Sequence, residues 1–88
     1  MEFNHYDLGH QERGTVVEVT LEGNAANVRL LDSSNFRKYK AGRRHKHYGG
    51  LMRRSPARLV VPRSAHWHVV VDMQGLRGTT RSAIRIVS

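Results

Sequence analysis

Eight basic side chains fall between Ser33 and Arg54: Arg37, Lys38, Lys40, Arg43, Arg44, Lys46, Arg53 and Arg54. The window holds no Asp or Glu, and the rest of the chain carries seven basic residues against seven acidic ones. The whole net charge of +8 therefore lies in one segment. A field gathered in this way attracts anions and speeds encounter with them. Five of the eight cations are Arg, whose planar fork matches phosphate or carboxylate. Phe36, Tyr39 and Tyr48 interleave with them, and single-stranded nucleic acid adds ring stacking to its phosphate contacts. The segment thus points to an anionic ligand, an acidic protein surface or nucleic acid as partner. None of the usual RNA- or DNA-module motifs accompanies it. The competing reading is a solvated polar loop whose aromatic rings fold back onto the protein.

A second candidate is His66-Trp67-His68. Residues i and i+2 of a strand share a face, so both imidazoles could reach one ion, and imidazole suits Zn, Fe, Ni or Cu. The pattern is loosely like the His-x-His strand of cupin metal sites. Asp72 shares that face, but at about 3.3 Å per residue it stands roughly 13 Å from His68 and cannot complete a site. His5, His10, His45 and His47 are available, yet nothing in the sequence brings them near. The plainer expectation is two half-exposed histidines flanking a buried Trp67, with no metal and no cofactor.

Catalytic chemistry finds little support. No two carboxylates fall at a suggestive spacing, and there is no Gly-x-Ser-x-Gly segment, Gly-x-Gly-x-x-Gly loop or Gly-Lys-Ser/Thr loop. The expectation is a protein that is not an enzyme. With no cysteine, a disulfide framework and thiolate chemistry are excluded. The N-terminus lacks the pattern of a signal peptide, and uninterrupted apolar runs such as Val69-Val70-Val71 are far too short to cross a bilayer. A cytoplasmic protein without a membrane partner is the expectation.

The elements that must position these groups centre on Ala65–Met73. Ala65, Trp67, Val69, Val71 and Met73 are apolar, while His66, His68, Val70 and Asp72 alternate with them. That is a strand with one core face and one mostly polar face. His5-Tyr6-Asp7-Leu8 reads as an edge strand ended by Gly9. Thr15–Glu22 turns Thr15, Val17, Val19 and Leu21 one way, and Ala26–Leu31 does the same with Ala26, Val28 and Leu30. Glu22-Gly23-Asn24 between them predicts a β-hairpin. Asp32-Ser33-Ser34-Asn35 offers helix caps, so a short helical turn is expected near residues 34–40 with Phe36 and Tyr39 on one side. Residues 43–54 read as a loop or irregular hairpin bent at Gly49-Gly50. Ala57–Val61 is a strand ended by Pro62, and Thr80–Ile86 is the last. The predicted core includes Leu59, Val61, Ile84 and Ile86.

Several segments carry a resemblance: His5-Tyr6-Asp7-Leu8-Gly9, residues 23–28, Asp32-Ser33-Ser34-Asn35-Phe36, Tyr48-Gly49-Gly50 and residues 66–72. Together they resemble a family of small bacterial domains, domain of unknown function 1883, over nearly the whole chain. The resemblance implies a small all-β module, with relatives fused ahead of Toll/interleukin-receptor-like domains. It implies no activity, cofactor or catalytic residue, and only hints at interaction or sensing.

These readings converge on one all-β domain, residues 1–88. It is a five- or six-stranded antiparallel sandwich or small barrel with little helix. The expected role is a binding or sensing module that engages an anion through residues 37–54. Single-stranded nucleic-acid binding, a His66/His68 metal protein, and assembly through open sheet edges into a homo-oligomer are the alternatives.

Overall fold

Alternating apolar and polar side chains give a strand one face to bury, and seven strands bury theirs in two layers. The computed structural model describes residues 2–87. In chain order the elements are β1 (Phe3–Gln11), β2 (Val16–Gly23), β3 (Ala26–Asp32), α1 (Ser33–Lys40), β4 (Tyr48–Met52), β5 (Ala57–Val60), β6 (Ala65–Asp72) and β7 (Thr80–Ile86). One sheet has the order β1-β6-β3-β4 and the other β5-β2-β7. Neighbouring strands run antiparallel throughout. The sandwich form of the prediction holds, with seven strands rather than five or six. The sheets do not close into a barrel.

The core lies between the layers. Val17 and Val19 from β2 meet Ala26, Val28 and Leu30 from β3 and Trp67, Val69 and Val71 from β6. Leu59 and Val61 join them as expected, with Ile84 partly buried against the cluster. Each such Val or Leu contributes roughly 1.5–3 kcal/mol through the water it sheds. Ile86 departs from the expectation: it stays 44% exposed at the end of the edge strand β7.

The predicted β2–β3 hairpin does not form. β2 pairs with β5 and β7, whereas β3 pairs with β4 and β6. In one sheet, the Val17/Val19 face and the Val28/Leu30 face would lie side by side and share a need for cover. In opposite layers they cover each other. The link between the layers is pinned at Asn24, whose N–H donates to the Thr79 carbonyl at 3.0 Å and whose Oδ1 accepts from the Thr79 N–H at 3.1 Å.

Two glycine readings also change. Gly9 does not end β1; it sits at φ +68° where the β1–β6 register slips by one residue. Gly49-Gly50 is no bend but the middle of β4, with Gly49 opposite Arg29 and Gly50 opposite Val28. At Gly49, φ is +99° and a Cβ would collide with the Val28 carbonyl oxygen, so only glycine lets β4 approach β3 so closely.

The short helix forms as predicted. Asp32 caps it, its Oδ1 accepting from the Asn35 N–H at 2.9 Å. Phe36 and Tyr39, three residues apart, face the outer side of the four-stranded sheet and bury Leu31 and Val70 with help from Phe3. The chain leaves α1 with the Arg43 N–H donating to the Lys38 carbonyl at 2.9 Å. The outer face of β6, expected to be mostly polar, is therefore covered along most of its length: His68, Val70 and Asp72 are all buried.

Candidate functional site

Burying Phe36 and Tyr39 turns the other side of α1 outward, and that side is cationic. Arg37, Lys38 and Lys40 lie in the last turn, where positive charge suits the helix dipole. Arg43, Arg44 and Lys46 follow in the connecting segment, and all six are exposed. The Lys46 N–H donates to Asn35 Oδ1 at 2.9 Å, which ties this segment back to the helix. Among the described residues none of the six is ion-paired with a carboxylate. Arg53 and Arg54 are exposed too, but they follow β4. The five residues of β4, Tyr48–Met52, stand between them and the other six in the chain.

The stacking residues are redistributed. Phe36 is 5% exposed and Tyr39 2%. Phe36 lies flat against His5 and His68, with ring centroids 4.1 and 4.5 Å away, and Tyr39 meets Phe3 edge-on at 5.2 Å. Neither ring has a face free for a nucleobase. Tyr48 alone of the three stays open, at 53%, with Trp67 edge-on to it at 6.1 Å.

Beneath α1 the outer sheet face divides into two ends. At one end Asp72 accepts from Tyr39 Oη at 2.6 Å, Arg29 Nε at 3.0 Å, Asn27 Nδ2 at 2.8 Å and the Gln74 N–H at 3.1 Å. Burial alone would raise the Asp72 pKa, but these donors outweigh it and hold the carboxyl below its ordinary value. The same burial, with the Asp72 charge, pushes the Tyr39 hydroxyl up. His45 lies edge-on to Tyr39 at 5.3 Å, and His47 Nε2 is 3.5 Å from Arg29 Nη1. Burial first, and then the Arg29 charge, lower both imidazole pKa values.

At the other end stand the histidines singled out in the sequence. His68 is not half-exposed but buried, at 6%. Its Nδ1 faces His5 Nε2 at 2.9 Å and its Nε2 faces Ser33 Oγ at 2.9 Å. His66 remains exposed, and its Nε2 meets Asp7 Oδ1 at 2.6 Å. The bulge at Gly9 sets that carboxylate, since the Gly9 N–H donates to Asp7 Oδ1 at 2.9 Å. One donor atom from each of Asp7, His66 and His68 lies within 4.8 Å of the others. Burial lowers the pKa of His68 and of His5. Asp72 takes no part, as its spacing predicted. The carboxylate arrives instead from β1, where Asp7 lies opposite His68. That pairing is long-range and has no signal in the local sequence. His10 lies opposite His66 but turns to Glu12 at 2.9 Å; His45 and His47 belong to the Asp72 end.

No helix of the described residues is long and apolar enough to cross a membrane. Compared with known proteins, the chain matches the family model described as Domain of unknown function (DUF1883) over residues 1–88, and so belongs to that family. No curated protein and no solved structure matches it.

Proposed function

We propose that this DUF1883 family member is a non-enzymatic binding module that engages an anionic partner through Arg37, Lys38, Lys40, Arg43, Arg44 and Lys46. One observation carries the reading: six exposed cations on α1 and its following segment stand without a carboxylate partner among the described residues. The acids that could have quenched them are engaged elsewhere, Glu18 with Arg58 and Arg85, Asp32 with Arg63, and Asp72 with Arg29. Unpaired surface charge of one sign steers a partner of the opposite sign. The inward turn of Phe36 and Tyr39 favours phosphate or carboxylate recognition over base stacking. Arg53 and Arg54, at the far end of β4, form a weaker second group.

Reversing Arg43→Glu and Arg44→Glu abolishes retention on a heparin column at moderate salt and leaves the circular dichroism spectrum unchanged. Reversing Arg53→Glu and Arg54→Glu has the smaller effect. Wild-type retention by the first variant would refute the proposal.

A further inference from the structure

The geometry points to Asp7, His66 and His68 as a binding site for one transition-metal ion of the zinc type. This inference stands apart from the anion-binding surface and uses none of its cations.

The site is assembled by strand geometry. Alternation on β6 sends His66 and His68 to the same outer face, and the β1–β6 ladder sets Asp7 opposite His68. Their donor atoms lie within 4.8 Å of one another. Around a tetrahedral ion with bonds near 2.0–2.1 Å, donors stand about 3.3 Å apart. Side-chain rotations with shifts of roughly 1 Å reach that arrangement, and the exposed Asp7 and His66 have room to make them. Two imidazoles and one carboxylate suit zinc or a neighbouring first-row ion, whereas calcium and magnesium prefer an all-oxygen set. The set leaves a fourth position for water or for His5, whose Nε2 already lies 2.9 Å from His68 Nδ1.

The surroundings of His68 fit a ligand better than an ordinary surface pair. With a metal on Nδ1, its Nε2–H donates to Ser33 Oγ, at 2.9 Å the anchor that a ligating imidazole normally has on its second nitrogen. Phe36 on one side and His66 on the other stack against the ring at 4.5 and 4.9 Å and fix its plane. The Gly9 N–H orients the Asp7 carboxylate. The opposing charge is Lys40, whose Nζ lies 4.7 Å from the Phe36 ring centre.

The test is titration of the full chain, without an affinity tag, with zinc chloride alone and then with cobalt(II). The expected result is one zinc per chain and a cobalt spectrum with the intense visible bands of a four- or five-coordinate ion. Asp7→Asn and His66→Asn should each weaken zinc binding at least about tenfold, since even partners one step removed from a metal are worth that much. Both residues are exposed, so the metal-free melting midpoint should not move. His10→Asn, beside the site but turned to Glu12, should bind zinc like the wild type, and excess magnesium should not compete. Absence of stoichiometric zinc binding would overturn the inference, as would wild-type affinity in both Asp7→Asn and His66→Asn. Heparin retention of Asp7→Asn reads the anion surface separately.

Discussion

Glu18 stands between Arg58 and Arg85, its cross-strand neighbours on either side; nothing comparable faces Arg43 or Arg44 among the described residues. The two regions use the same side chain differently. In a sheet, the ladder brings each residue opposite a fixed partner, so an acid on β2 meets the arginines of β5 and β7. A short helix and its trailing loop have no such ladder. Arg37 and Lys40, three apart on α1, are like charges and repel slightly, and the helix dipole offsets part of that cost. Charge that the fold has paired serves the fold. Charge concentrated where the fold gains nothing from it is available for a partner.

The largest expected effect tests the paired side of this contrast. Asp72→Ala leaves the Arg29 guanidinium without its partner and strips Tyr39 and Asn27 of their acceptor. Breaking a buried pair in this way costs about 3–5 kcal/mol, read by urea denaturation. Against the roughly 5–15 kcal/mol that holds a domain folded, that is a large fraction. Tyr39→Phe removes one donor from the same carboxylate and costs about 1–3 kcal/mol. Its heparin retention should match the wild type, because the ring faces inward. Asp32→Ala deletes the cap of α1 and costs about 0.5–2 kcal/mol, while the freed Arg63 should, if anything, lengthen retention.

A smaller effect should appear with pH. His45 and His47 have pKa values lowered by burial and by the Arg29 charge, so the unfolded chain takes up protons before the folded one does. Their contribution is complete above about pH 6.5, the ordinary imidazole value, and is lost as pH falls through the lower folded values. The melting midpoint should therefore drop between neutral pH and pH 5. The double variant His45→Asn/His47→Asn should lessen that slope, leaving the share of His5 and His68, without changing retention at neutral pH.

Much of this architecture was legible because it depends on local pattern. The period-2 alternation of Ala65–Met73 and of Val17/Val19/Leu21 located the core, and Asp32 with Phe36 and Tyr39 located α1. What the pattern could not carry was pairing between distant strands. Alternation gives the buried face of β2 and β3 but not whether they lie beside or above each other, so a turn-like Gly23-Asn24 suggested a hairpin where the chain changes layers. The glycines of β4 looked like a bend because the close approach to Val28 that requires them is a tertiary fact. The same holds for the site. His66 and His68 were visible as a pair, but Asp7 joins them only through the β1–β6 ladder. The cations were all visible; that a strand, β4, comes between the first six and Arg53 and Arg54 in the chain was not.

The contrast between paired and unpaired arginines is tested most directly with two variants of equal charge change. Affinity for inorganic polyphosphate would be measured against salt for the wild type, Arg43→Gln/Arg44→Gln and Arg58→Gln/Arg85→Gln. The account predicts weaker binding and a shallower salt slope for the first pair. For the second it predicts near wild-type binding with a lowered melting midpoint. Equal loss of affinity in both variants would mean that net charge alone drives association, and would contradict it.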